Sequence, residues 1–200
     1  MDEQTTSEEG PMSQDRYEVI VIRYGTRETK RSEVYLNYSL YGQPDGPIRM
    51  DYFVWVVRNA ARTILVDTGY SAVGGERRKR TTVLPPLEAW ARLGIQPNDA
   101  PEILLTHAHY DHTGHLGAFP SSRIRVARAE FDFWMGPHAH RTQFHHSVED
   151  AELADLVAAR AEGRIDFFDD EVEVAPGVRM MRVGGHTPGQ SVVLVQTTEG

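Results

Sequence analysis

The segment Thr106-His107-Ala108-His109-Tyr110-Asp111-His112 places three imidazoles and a carboxylate close together, directly after the apolar run Ile103-Leu104-Leu105. Imidazole nitrogens and carboxylate oxygens are the ligands that suit zinc and related first-row ions, and a catalytic zinc keeps one position open for water. A solvated histidine-rich loop is the alternative, but so specific a pattern rarely arises by chance. We therefore interpret the segment as a metal site.

The spacing within this segment indicates two adjacent metal positions. If the chain stays extended through His109, then His107 and His109 point to one face, because side chains alternate along a strand. Asp111 and His112 follow where the strand gives way to a turn or the start of a helix. Two neighbouring residues that point apart are better suited to a second metal position than to the first.

A further histidine, His186, lies in a glycine-rich turn between two predicted strands. Met180–Val183 reads as the first strand, Gly184-Gly185 end it, and Thr187-Pro188-Gly189 lead into the second strand, Ser191–Val195. Glycines let the backbone approach a buried ion closely. A histidine in such a loop is commonly a surface residue, but beside the first motif we predict that His186 completes the first metal position.

Three blocks of sequence resemble the metallo-β-lactamase superfamily in order and rough spacing. They are Thr63–Gly69 (TILVDTG), Thr106–His112 (THAHYDH) and Gly185–Gly189 (GHTPG). The resemblance extends from about Tyr17 to the end, and it implies an αββα sandwich of mixed sheets covered by helices. We expect the C-terminal part of that fold to lie beyond this chain, which we interpret as a fragment of a longer protein.

Within the superfamily, the chain looks most like the N-acyl homoserine lactonase branch. The supporting segments are Asp51–Val57, the long stretch that follows Asp67, and Glu171–Val178. Two positions depart from the common pattern. Gly185 stands where many relatives have proline, and the glycine loosens the loop. Gln190 stands where many relatives have histidine, but the glutamine side chain can still form hydrogen bonds.

The resemblance implies that His107, His109 and His186 bind the first metal, and that Asp111 and His112 bind the second. Two Zn²⁺ ions per chain are therefore expected in the full-length protein, although other divalent metals also suit these ligands. A bridging aspartate and a last histidine, which relatives also have, are expected beyond the sequence in hand.

Asp67 follows the buried-looking strand Ile64-Leu65-Val66, where an unpaired carboxylate would be costly. One explanation, which the resemblance also implies, is that Asp67 orients a metal-binding imidazole through its other nitrogen. The alternative is that it caps the Thr68-Gly69 turn. The residues leave both explanations open.

The implied function is hydrolysis. A metal lowers the pKa of bound water from about 15.7 to about 7, which yields a hydroxide nucleophile at neutral pH. Asp111 is the predicted catalytic residue, since it could hold the second metal and then pass a proton to the leaving alkoxide. The resemblance implies a zinc-dependent lactonase that opens N-acyl homoserine lactones, which is quorum quenching. The alternatives are hydrolysis of another ester, thioester or lactone, and a metal-binding protein without catalysis.

Composition limits the partners. The formal net charge is −8, which disfavours nucleic acid, and no apolar stretch approaches the roughly 18 residues of a membrane span. We therefore expect a small-molecule substrate and no membrane partner. The absence of cysteine excludes disulfides and thiolate ligands, and the cytoplasm is the default compartment. Oligomeric state stays open. Residues 1–15 are predicted to form a disordered tail, and residues 16–200 one hydrolase domain.

Other segments carry structural predictions. Strands are predicted at Tyr17–Arg23, Tyr52–Val57 and Thr63–Val66, and helices at Pro86–Leu93 and Glu149–Glu162. In the first helix one face is predicted to carry Leu87, Trp90 and Ala91. In the second helix one face is predicted to carry Leu153, Leu156 and Val157. A capping pair at its start is predicted from Ser147 and Asp150.

Three more segments invite a functional reading. Glu76–Arg80 is predicted to be a solvated charged loop. Pro137–His146 is predicted to cover the metal cleft. Phe131 and Trp134 are predicted to belong to the core or to the cleft wall, where an acyl chain could lie.

Overall fold

The computed structural model describes residues 15–199, so the tail predicted for residues 1–15 lies, except for Asp15, outside the described residues. Ten strands occur in this part of the chain. They are β1 (Glu18–Lys30), β2 (Pro47–Arg58), β3 (Thr63–Val66), β4 (Thr81–Thr82), β5 (Glu102–Leu104), β6 (Ile124–Ala127), β7 (Ile165–Phe168), β8 (Glu171–Ala175), β9 (Val178–Arg182) and β10 (Ser191–Val195).

Six α-helices connect or flank these strands in the described residues. They are α1 (Ala72–Arg77), α2 (Pro86–Arg92), α3 (Tyr110–Thr113), α4 (Arg128–Trp134), α5 (Thr142–His145) and α6 (Asp150–Ala161). Short 3₁₀ turns at Arg31–Glu33, Tyr38–Tyr41, Pro97–Asp99 and Leu116–Ala118 complete the helical segments. None of the helices in residues 15–199 has the length and apolar character needed to cross a membrane.

The strands form two sheets. The larger has seven strands in the order β4-β1-β2-β3-β5-β6-β7, and the smaller has the order β10-β9-β8. Strands β3, β5, β6 and β7 run parallel, while β1, β2 and β4 pair antiparallel, so the large sheet is mixed. The small sheet is antiparallel. A mixed sheet flanked by helices and by a second sheet agrees with the predicted α/β sandwich.

Side-chain alternation explains why the large sheet is covered on both faces. In and just after β5, Ile103 and Leu105 join a core shared with α2, α4 and α6, whereas Leu104 points to the opposite face. On that opposite face Leu104 packs in a core that includes Val178 and Met180 of the small sheet. The helices, the large sheet and the small sheet are therefore three successive layers.

The predicted strands and helices are confirmed, but two details of the helices are wrong. In α2 the buried residues are Pro86, Ala89 and Trp90, whereas Leu87 and Ala91 are exposed. In α6 they are Glu152, Leu156 and Ala159, and Val157 is exposed.

The predicted capping pair of α6 does not form. Glu149 is the N-cap residue without a side-chain cap, and the Ser147 hydroxyl donates instead to the Phe144 carbonyl, 2.6 Å away. The local pattern thus located the helix but not the way in which its N-terminus is capped.

The prediction of a solvated charged loop at Glu76–Arg80 is only partly right: Glu76, Arg77 and Lys79 are exposed, whereas Arg78 and Arg80 are half-buried. Glu76 and Arg77 end α1, and the Arg78 guanidinium lies 3.9 Å above the centre of the Tyr110 ring. Arg78 forms an ion pair with Glu149, and Arg80 Nε donates to the Tyr110 hydroxyl at 2.9 Å. Arginine side chains cover an aromatic ring here, as their planar guanidinium groups permit.

Candidate metal centre

The candidate site lies where the carboxyl end of β5 meets the turn between β9 and β10. Strand β5 ends at Leu104, earlier than the hypothesis of an extended run required, yet the backbone of His109 is still extended and precedes α3. Gly184 and Gly185 have φ values of 64° and 97°, which favour glycine, and they turn the chain so that His186 faces the β5 end. The Ser191 amide donates to the Thr106 carbonyl at 2.9 Å and joins the two segments.

Three of the predicted ligands converge. His107, His109 and His186 each offer a ring nitrogen, and these nitrogens all lie within 4.8 Å of one another. The ring centroids are 4.7 Å apart for His107 and His109, 5.0 Å for His107 and His186, and 4.5 Å for His109 and His186. These distances leave room for one ion between the three nitrogens.

The chemistry of these imidazoles suits a cation. Among the described residues, His107 Nε2 is buried without a hydrogen-bond partner, which is costly unless something else occupies that position. Burial lowers the pKa of His107, and the neighbouring imidazoles lower it further. Burial and His186 lower the pKa of His109 to about 3. Both rings are therefore neutral at pH 7, as metal ligands must be.

Asp111 and His112 form a second group beside the first. The ring of His112 lies 3.9 Å from that of His107, centre to centre, and its Nε2 is 3.7 Å from Asp111 Oδ2. The other ring nitrogen, Nδ1, is 2.7 Å from Asp67 Oδ2. Burial alone would lower the pKa of His112, but the Asp67 carboxylate outweighs that effect and raises it to about 9.

Asp67 is held rigidly. It is buried with φ of 60°, a left-handed conformation that aspartate tolerates better than most residues. Its carboxylate accepts hydrogen bonds from the Thr106 amide and hydroxyl, both at 2.8 Å, besides its contact with His112. The next residue, Thr68, donates from its amide and hydroxyl to the His112 carbonyl. The turn after β3 thus fixes both the ring and the backbone of His112.

A cavity of about 620 Å³ opens beside His109 and His186. Its apolar wall includes Phe133, Trp134, Phe144 and Pro188, and its polar lining includes Gln143, His146 and Ser147. The Trp134 ring is 5.6 Å from the ring of His109. The cleft therefore combines an aromatic wall with the cluster of imidazoles.

The expectations for this wall are only partly met. Trp134 lines the cavity, but Phe131 does not, because it is buried in the core and its ring packs 5.2 Å from that of Phe167. Of the segment Pro137–His146, the part near α5 reaches the cavity, whereas His138 and His140 are exposed.

Comparison with known proteins places this arrangement in a family. Residues 49–200 match the family model of the metallo-beta-lactamase superfamily. The chain belongs to this superfamily. It is 32% identical over 164 residues to an N-acyl homoserine lactonase of Bacillus sp, an alignment that covers 74% of this chain and 60% of that protein. It is 28% identical over 170 residues to one of Bacillus thuringiensis, covering 78% and 62%. The chain thus spans about 60% of the length of these relatives.

Solved structures share the superfamily fold. A quorum-quenching N-acyl homoserine lactone lactonase has a TM-score of 0.69 at 21% identity, covering 92% of this chain and 70% of that one. A dizinc quorum-quenching lactonase in complex with a product, N-hexanoyl-L-homoserine, has a TM-score of 0.68 at 22% identity, covering 92% and 71%. These similarities confirm the predicted fold class.

Gln190, one of the two departures from the common superfamily pattern, contacts the histidine turn. Its side-chain oxygen accepts a hydrogen bond from the His186 amide at 3.4 Å, and its backbone carbonyl accepts from Val183 and Gly184. The residue therefore shapes the turn.

A buried acid that contacts the candidate site, Glu130, was not identified from the sequence. Glu130 of α4 is fully buried, and its carboxylate accepts hydrogen bonds from both histidine-bearing segments. The one available signal was a glutamate directly before an aromatic-rich stretch, Phe131–Met135, which does not reveal its distant partners.

Proposed function

We propose that this protein is a zinc-dependent hydrolase that opens the lactone ring of N-acyl homoserine lactones. The observation that carries the proposal is the convergence of His107, His109 and His186 beside an aromatic cleft, with the buried Nε2 of His107 lacking a protein partner. The names of the relatives that are 28% and 32% identical support the choice of substrate.

The proposed roles follow from the contacts. His107, His109 and His186 would hold the first zinc ion, and Asp111 and His112 the second. Neutral imidazoles and a carboxylate suit zinc. His112, whose pKa is raised to about 9, would release its Nε2 proton on binding the metal while Nδ1 keeps its contact with Asp67. Bound zinc lowers the pKa of water and polarises a carbonyl.

The side chains of the cleft would supply the remaining steps. Phe133, Trp134 and Phe144 would pack along the acyl chain and exclude water. Water adds to the lactone carbonyl carbon, the ring C–O bond breaks, and the leaving alkoxide needs a proton. Asp111 would take up the proton that the attacking water loses and pass it to that alkoxide, and the released carboxylic acid then ionises.

Metal content tests the ligand assignment. The purified full-length protein is expected to carry close to two zinc ions per chain by elemental analysis. His107→Ala and His186→Ala each remove one ligand, so both variants should lose zinc and lactone hydrolysis. His138→Ala is the matched control, because this exposed histidine lies outside the cavity lining. Unchanged zinc content in both ligand variants would contradict the assignment.

A substrate panel tests the proposed reaction. The enzyme should consume N-acyl homoserine lactones with release of one acid equivalent, followed with a pH indicator. It should act far more slowly on S-lactoylglutathione and on a chromogenic β-lactam. A tenfold higher kcat/KM for the thioester corresponds to about 1.4 kcal/mol in transition-state stabilisation. That result would contradict the lactonase assignment but would still agree with a metal-dependent hydrolase.

A further inference from the structure

Glu130 is a buried carboxylate whose partners all donate hydrogen bonds. The residue is fully buried, and no lysine or arginine in residues 15–199 forms an ion pair with it. Oε1 accepts from the Ala108 amide at 2.9 Å and from Trp134 Nε1 at 2.7 Å. Oε2 accepts from the Thr187 hydroxyl at 2.6 Å and from the Gly189 amide at 2.9 Å. A buried carboxylate needs such donors in place of water.

These donors belong to the segments that carry the histidines. Ala108 lies between His107 and His109, and Thr187 directly follows His186. One oxygen of Glu130 therefore holds the first segment and the other oxygen holds the second. The oxygen that holds Ala108 also accepts the indole N–H of Trp134, which lines the cleft.

The close approach of Gly189 to α4 supports this role independently. A Cβ atom added to Gly189 would lie 2.3 Å from the Glu130 amide nitrogen, a distance that side chains do not adopt. Glycine at this position lets the turn that carries His186 lie directly against the backbone of Glu130.

We propose that Glu130 is a positioning residue that sets the separation between the segment of His107 and His109 and the turn of His186. Glu130 acts through its hydrogen bonds to the backbone on both sides of the candidate metal position. Through its hydrogen bond to Trp134 it also aligns the cleft wall with the three histidines. This inference rests on the proposed metal site.

Glu130→Gln tests the role with little change in volume. The amide replaces one acceptor oxygen with a donor NH₂ group, so two of the four hydrogen-bond donors lose their acceptor whichever way the amide lies. Zinc affinity, measured by competition with a chelator, should fall about tenfold. The visible absorption bands of the Co²⁺-substituted protein should shift, because that spectrum reports ligand geometry.

Glu149→Gln is the matched control, since Glu149 is also buried but its partners are Arg77 and Arg78. Thr187→Val covers the case in which Glu130→Gln does not fold, because it removes a single donor and should weaken zinc binding about threefold. If Glu130 and Thr187 act through one contact, the zinc affinity of the double variant should fall by less than the product of the fold reductions in the two single variants.

Two outcomes separate this inference from the proposed function. If the parent protein binds no zinc, the proposed function fails, and the role of Glu130 fails with it. If the parent binds zinc, but Glu130→Gln or Thr187→Val matches Glu149→Gln in affinity and in the Co²⁺ spectrum, only the role of Glu130 is overturned.

Discussion

Glu152 is a buried carboxyl group of α6 that supports α3, the short helix that carries Asp111 and His112. Oε2 accepts a hydrogen bond from the Thr113 hydroxyl at 2.8 Å, while Oε1 has no partner among the described residues. Burial raises the pKa of Glu152 to about 7, against the opposing effect of the Thr113 hydrogen bond. The charge of Glu149 raises it slightly further. The folded protein therefore prefers Glu152 protonated.

We predict that Glu152→Gln stabilises the protein at pH 8. The folded-state pKa lies above the usual 4.5, so the contribution of Glu152 to stability is present below pH 4.5 and is lost as the pH rises through about 7. Above pH 7 the loss is about 3 kcal/mol at most, and a neutral amide avoids it. Urea unfolding from pH 4 to 8 measures the difference between the two proteins. A difference that does not grow with pH would contradict the prediction.

At the scale of single residues, the sequence predicted best where partners are close along the chain. His107, His109, Asp111 and His112 occupy one short segment, and their spacing alone indicated that they lie together. Glu130 could not be found this way, because its partners in the two histidine-bearing segments lie 22 and 57 or 59 positions away. No local pattern distinguishes such a buried glutamate from an exposed helical one.

Among the larger elements, the arginines at the end of α1 support the segment that lines the cleft. Arg78 Nη2 donates to the carbonyls of His146 and Val148, at 2.7 and 3.1 Å, and the guanidinium also pairs with Glu149. Arg77 pairs with the same carboxylate, but its side chain is 65% exposed. Arg78 thus connects α1 to the chain between α5 and α6.

We predict that Arg78→Lys destabilises the protein by about 2 kcal/mol, because a single ammonium group cannot replace the fork of donors and leaves some of its acceptors, among them the half-buried Val148 carbonyl, unpaired. Arg77→Lys, the matched control, should cost less than about 0.5 kcal/mol, because exposed ion pairs contribute little. Denaturant unfolding of the two variants provides the comparison. Equal losses of unfolding free energy in the two variants would show that the contacts of Arg78 to His146 and Val148 do not contribute to stability.

The same segment shows what composition leaves undetermined. A run of charges after two glycines has the composition of a solvated loop, and only the tertiary structure brings Tyr110 and two carbonyl groups beneath Arg78. The strands were easier to predict, because the short continuous apolar run Ile64–Val66 indicates burial of the segment itself. The order of the strands was not predicted, since pairing joins residues that are distant in sequence.

Across the whole molecule, the candidate site joins the two sheets. His107 and His109 follow β5 of the large sheet, and His186 lies between β9 and β10 of the small sheet. An ion held by all three would therefore link the layers as well as serve the chemistry.

We predict that chelation lowers the thermal unfolding midpoint of the protein. A metal that binds only the folded state, at a free concentration of 100 times its Kd, adds about 2.7 kcal/mol to the free energy of unfolding. His186→Ala should remove most of this metal-dependent shift while the metal-free midpoint stays close to that of the parent. Calorimetry with and without a chelator measures both quantities. A parent midpoint indifferent to chelation would contradict the prediction.

The division of the imidazoles between two sheets also has a consequence for biosynthesis. His107, His109 and His112 emerge from the ribosome together, whereas His186 follows only after α4, α6 and the first strands of the small sheet have been made. A nascent chain therefore presents an incomplete set of ligands for the time taken to translate that stretch. The proposed metal site can consequently be completed only late in synthesis, and an ion captured earlier would be held by fewer ligands and would exchange more easily.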